Sequence, residues 1–299
     1  MSKYARLRER VAAFDGVSLA EPLAATLDEL RAAHDDDWVR RVVDGALSDA
    51  EVRRIGFPWS PLMVERSRRS AGATLAAARC VTDGDDRIAV NLAGGTHHAG
   101  RGHGAGYCVF NDTAIATRVL LREQRAERVL VVDLDVHQGD GTAEILGDDD
   151  NVFTLSLHGR KNFPFRKQQS SLDIELDDGC GDDDYLAELE RAVAHAFRAG
   201  RPDVVFFLAG ADPFAGDALG RLGLSKAGLA RRDAHVLDVC RLHNVALVVA
   251  MAGGYAKDIE DTVDIHAETV RQCATQAAER SRSKRQNLSI ATADAKTRK

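Results

Sequence analysis

The chain has 299 residues, 44% of them hydrophobic, enough to bury a large core in one sizeable α/β domain or two small ones. With 40 Lys and Arg against 46 Asp and Glu, the formal charge of −6 removes the electrostatic basis for nucleic-acid binding. The five cysteines are scattered without a C-x-x-C pair, and no apolar run reaches membrane-spanning length. Neither a disulfide framework nor a thiolate zinc site is suggested, no membrane partner is expected, and the chain reads as cytoplasmic.

Taken in chain order, the first third carries helical patterning over Lys3–Ala13, Pro22–Ala33, Asp37–Leu47 and Pro61–Ala78. A first apolar run, RIAVNLAGG, starts at Arg87. A helix over Thr113–Gln124, capped by Asn111 or Asp112, leads to a second run, RVLVVDLDVH, from Arg128. A third, VFTLSLH, starts at Val152 and is followed by an acidic helix start at Asp182–Asp184, running through Tyr185–Arg198 with Gly200 as a stop. The fourth run, DVVFFLAGAD, starts at Asp203. Ser225 caps a helix to about His243, and the fifth run, VALVVAMAGGY, starts at Val245. These runs are continuous rather than alternating, which is how strands covered on both faces read. Their alternation with helices predicts βαβ units, a mostly parallel sheet and a three-layer αβα architecture. The expected organisation is one domain over 1–280 and a disordered basic tail over 281–299.

Open parallel sheets bind ligands at the carboxyl ends of their strands. Here those ends read GGTHH, DLDVHQGD (Asp133–Asp140), SLHG, GADPFAGD and GGY. Asp135 and His137 stand two apart, a spacing that in a strand sends both side chains to one face. A carboxylate and an imidazole suit Zn²⁺ or a similar divalent metal, Asp212 after the fourth run is the natural third ligand, and three protein ligands leave a position open for chemistry. Asp133 and Asp140 bracket these ligands and could orient the tandem His97 and His98, dividing base and acid roles between them. Tyr255, after Gly253-Gly254, could donate to a developing oxyanion, although packing is the commoner use of such a tyrosine. Tyr107, Phe163 and Phe165 could line a channel or fill a core. His34, His195, His235, His243 and His266 lie on helical stretches and read as structural or solvated.

The stretches GGTHHAGRGHGAGYCVFND, VVDLDVHQGDGTAEI, TLSLHG, LAGADPFAGDALGRLGLS and MAGGY resemble the successive motifs of zinc-dependent histone deacetylases, nearest to the class IV branch and its bacterial relatives. The resemblance implies the arginase/deacetylase fold with an eight-stranded parallel sheet. It implies zinc on Asp135, His137 and Asp212, His98 with Asp140 as general base, and His97 with Asp133 as its electrostatic or acid partner. Tyr255 would polarise the substrate carbonyl, the Gly106 carbonyl would receive the substrate amide, and Tyr107 and Phe163 would form aromatic walls. A potassium ion would sit on Asp133, Asp135, His137, Ser156 and Leu157. The implied reaction is hydrolysis of an acyl-lysine amide in a protein by a metal-bound water. Acetylpolyamine hydrolysis and non-catalytic acyl-lysine binding are the alternatives, while the tandem histidines argue against a two-metal ureohydrolase. Family members place a strand and a rim loop ahead of the helix that reads KYARLRERV here. The expectation is either a start further upstream or a gap covered by rearrangement or by partner contact, which leaves a homo-oligomer open.

Overall fold

The computed structural model describes residues 2–84 and 87–296, with side chains as far as residue 280; the basic tail expected from Ser281 lies outside the described side chains. Six strands form one parallel sheet: β1 (Ile88–Asn91), β2 (Val129–Asp133), β3 (Val152–Gly159), β4 (Leu172–Leu176), β5 (Val204–Leu208) and β6 (Ala246–Ala250), in the order β1-β6-β5-β2-β3-β4. The five apolar runs are five of these strands. The sixth, β4, was not foreseen, because LDIEL at the sheet edge is short and only partly buried. Six strands stand among the described residues where the resemblance implied eight.

Strand periodicity builds the three layers. On β2, Leu130 and Val132 face the core shared by α1 (Ser2–Val11), α8 (Asp182–Gly200), α9 (Lys226–Leu242) and α10 (Ile259–Lys296). Val129 and Val131 face the opposite core, which is closed by α2 (Leu27–Arg31), α3 (Asp36–Asp44), α4 (Asp49–Ile55), α5 (Pro61–Asp83), α6 (Asp112–Arg122) and α7 (Asp140–Leu146). Central strands β2, β5 and β6 are buried along their whole length, the pattern that made their runs continuous.

Helix boundaries follow local capping. Pro22–Ala33 is helical only over α2, because the capping box of Thr26 and Glu29 starts the helix late. Gly45, left-handed at φ 73°, ends α3 early, and a second capping box, Ser48 with Glu51, opens α4, which the hydrophobic pattern did not show. Asn111 caps α6 through the Ala114 amide and Ser225 caps α9 through the Gly228 amide, both as expected. The short α7 begins on Asp140, inside the motif rather than after it.

Candidate active site

Strands β2 and β5 are neighbours, with Asp133 opposite Leu208, so the segments that leave them emerge side by side at the carboxyl end of the sheet. β2 ends at Asp133; Asp135 and His137 therefore lie in the turn beyond it, and strand alternation is not what aligns them. The turn does so itself: Asp135 Oδ1 accepts the His137 amide at 2.9 Å and lies 2.9 Å from its Nδ1. Across the junction, Asp212 Oδ1 accepts the Val136 amide at 2.9 Å, and Asp135 Oδ2 accepts the Gly253 amide at 2.8 Å.

Ligand atoms of Asp135, His137 and Asp212 fall within 4.8 Å of one another. Asp212 Oδ2 is buried without a hydrogen-bond partner, 3.4 Å from His137 Nδ1. A buried carboxylate oxygen lacking a donor is costly unless a cation faces it. The space is kept by glycine: a Cβ at Gly253 would stand 2.0 Å from Asp212 Oδ2 and 2.6 Å from Asp135 Oδ2. Burial works against a charge on His137, but the carboxylates of Asp135 and Asp212 outweigh it and raise the imidazole to about 11. Burial and the neighbouring Asp135 charge raise Asp212 to about 6. The pocket thus draws positive charge to the point where its three ligands converge. A carboxylate–imidazole–carboxylate set of this kind fits Zn²⁺.

The loop after β1 brings His97 and His98 beside this cluster, their ring centroids 4.2 Å apart. His97 Nδ1 is 2.6 Å from Asp133 Oδ2, and His98 Nδ1 is 2.6 Å from Asp140 Oδ1. Both rings are almost fully buried, yet their charges separate. For His97, burial is outweighed by the carboxylates of Asp133 and Asp135, which raise it to about 9. For His98, burial and the charge on His97 win over Asp140 and lower it to about 4. At neutral pH one histidine is a cation and the other a free base.

The mouth is aromatic. The Phe163 ring stands edge-on to His98 at 4.8 Å, and Tyr107 lies 6.0 Å from Tyr255; these rings are 37%, 51% and 46% exposed. Phe165 is 88% exposed, which removes core packing as its role. Gly106 (φ 53°) packs against His98, where a Cβ would meet Cδ2 at 2.5 Å, and Tyr107 also takes a left-handed φ of 65°. The Gly106 and Tyr107 amides donate to the Arg54 and Ile55 carbonyls, tying this loop to α4. Beside Asp133, Ser156 is its register partner on β3, with Leu157 next along.

Several supports escaped sequence reasoning. Asn111 Nδ2 donates to the His97 and Ala99 carbonyls and to Thr142, and Asp112 accepts the Gly95 and Thr96 amides, so the cap of α6 also holds the histidine loop. Asp217 Oδ2 accepts the Tyr255 amide at 2.6 Å, fixing the Gly-Gly-Tyr turn. Lys3 Nζ donates to the Gly254 carbonyl at 2.9 Å and sits 4.6 Å from the Tyr255 ring centre. His34, by contrast, reads from sequence as structural or solvated and is structural: buried, it bridges the Gly100 carbonyl and the Asn111 amide.

This arrangement agrees with the comparison to known proteins, in which the histone deacetylase domain matches residues 2–270. The chain belongs to the histone deacetylase family. It is 44% identical over 238 residues to an uncharacterized protein of Picosynechococcus sp., covering 80% of this chain and 79% of that one. It is 32% identical to histone deacetylase 2 of Arabidopsis thaliana, over 80% of this chain and 64% of that protein. It is also 34% identical to the acetoin utilization protein AcuC of Bacillus subtilis, over 72% of this chain and 61% of AcuC. The family is one of hydrolases, and the architecture is that of the arginase/deacetylase fold. No helix among the described residues is long and apolar enough to cross a membrane, and the five cysteines are unpaired.

Proposed function

We propose that this protein is a zinc-dependent amidohydrolase that removes the acyl group from acyl-lysine in proteins. The carrying observation is geometric: His97 and His98 stand side by side, each with its Nδ1 2.6 Å from a carboxylate of its own, Asp133 and Asp140, beside the Asp135–His137–Asp212 cluster. Asp135, His137 and Asp212 would hold the zinc ion, which supplies Lewis-acid activation of water and of the acyl carbonyl.

The chain's own groups do the rest. His98 donates its Nδ1–H to Asp140 and keeps the Nε2 lone pair free, so it takes the proton from water as general base. His97, protonated and anchored to Asp133, supplies a proton to the departing lysine amine. Tyr255, whose phenol burial pushes up, stays protonated and donates to the developing oxyanion. The Gly106 carbonyl accepts the substrate amide N–H, and Tyr107 and Phe163 pack along the apolar stem of the acyl-lysine. A potassium ion, as the resemblance implies, would be held by Asp133, Asp135, His137, Ser156 and Leu157, of which Asp133 and Ser156 are register partners on β2 and β3.

One preparation of purified protein, offered acetyl-lysine peptides, longer acyl-lysine peptides and acetylpolyamines, tests the reading. Release of free lysine amine from peptides supports it. Release from polyamines alone moves the substrate to small acylated amines, and urea release from guanidino compounds would falsify it.

A further inference from the structure

Behind the metal cluster lies an arginine that the chemistry above does not use. Arg232, on α9, is fully buried; its Nη1 donates to the Gly210 carbonyl at 2.6 Å and lies 3.3 Å from the Leu134 carbonyl. Gly210 stands two residues before Asp212, and Leu134 immediately before Asp135. One guanidinium therefore bridges the two chain segments that carry the carboxylates of the cluster. The segments touch at this point, since a Cβ on Gly210 would lie 2.8 Å from the Asp135 Cα.

The guanidinium is itself held. Asp233 Oδ1 accepts from Arg232 Nε at 2.8 Å, and Asp233 Oδ2 accepts from the Thr269 hydroxyl of α10 at 2.6 Å. The Phe207 ring of β5 packs 5.7 Å from the guanidinium carbon. Because Asp233 offsets the charge of Arg232, the pair adds no net charge beneath the cluster. What remains is geometry: one guanidinium nitrogen, Nη1, reaches a carbonyl on each segment, and Asp233, itself held by Thr269, fixes the group that carries it.

We propose that Arg232 is a positioning residue for the metal site, setting the spacing of β2 and β5 beyond their ends so that Asp135 and Asp212 stay at chelating distance. The inference rests on the metal-site reading above and adds a determinant of its affinity. Groups that orient metal ligands typically contribute roughly 10–100-fold to metal affinity.

The test compares the full-length wild type with Arg232→Met, Arg232→Lys and Thr269→Val. It measures zinc dissociation constants by chelator competition, visible spectra of the Co²⁺-loaded proteins, and thermal unfolding of the metal-free proteins. Arg232→Met is expected to bind zinc roughly 10–100-fold more weakly with an altered Co²⁺ spectrum, Arg232→Lys to recover part of the affinity, and Thr269→Val to lose a few-fold. Variants that melt earlier without metal but keep the wild-type zinc constant and Co²⁺ spectrum overturn the inference. Should Arg232→Met fail to fold, unchanged zinc constants in both Arg232→Lys and Thr269→Val overturn it equally. A wild type that binds no zinc overturns the proposed function, whereas a wild type and variants that bind alike overturn only the role of Arg232.

Discussion

His97 and His98 are chemically the same residue, and their surroundings make them different. Each ring is buried against one carboxylate, but His97 also feels Asp135, while His98 feels the charge on His97. The sign of the pH dependence follows. A base at about 4 is already free at neutral pH, so kcat/KM at saturating zinc falls only as pH drops through that region. The basic limb follows proton loss from His97, at or below about 9, because a cation on Asp135 offsets one of the charges that retain the proton. A pH–rate profile whose acidic limb lies near the ordinary histidine value of about 6.5 would contradict this division of roles. In the proposed mechanism Tyr255→Phe would remove one donor to the oxyanion, and it should cost about 10²–10³ in kcat with zinc content unchanged. If folding changes while kcat does not, the ring only packs.

At the scale of elements, the site depends on caps and turns more than on strands. Asn111 caps α6 through its Oδ1 and holds the histidine loop through its Nδ2. Asn111→Asp keeps the capping oxygen and loses the donor. It should therefore lower kcat by more than its stability loss explains, whereas Asn111→Ala should add about 1–2 kcal/mol of helix destabilisation. Chemical unfolding and single-substrate kinetics on the two variants separate these effects. This dual use also marks what the sequence made legible. DLDVHQGD, GGTHH and GAD announced themselves as polar residues ending apolar runs, and the structure brings them together. Asp217, Lys3 and Arg232 act through backbone carbonyls or amides of residues far along the chain, 38 to 251 positions away for the first two. No local pattern carries such a contact. The short α4, α7 and β4 escaped for the converse reason, being too short to develop a hydrophobic period.

For the whole molecule, the αβα layering follows directly from continuous apolar strands between helices, and the strand order decides what meets at the site. Adjacent β2 and β5 deliver the carboxylates, while β1 and β6 deliver the histidines and the tyrosine turn. The same compactness buries His34, which bridges the helical layer and the active-site loop. Its Nδ1–H donates to the Gly100 carbonyl and its Nε2 accepts the Asn111 amide, so protonation would break the second bond. Burial lowers it to about 4, below its value in the unfolded chain, so the unfolded state binds the extra proton first. Stability from this residue is intact above about 6.5 and is lost as pH falls toward 4, by up to ~3 kcal/mol. Urea unfolding between these pH values, with His34→Gln as the control that removes the titration, should show this loss in the wild type and a shallower one in the variant.

The account turns on one ion in one place, and metal reconstitution reads it most directly. Protein stripped with a chelator and titrated with Zn²⁺ should recover hydrolysis of an acetyl-lysine peptide in step with a single equivalent per chain, and Asp212→Ala should recover none. Full hydrolysis in the stripped protein, or recovery that requires two equivalents of metal, would contradict it.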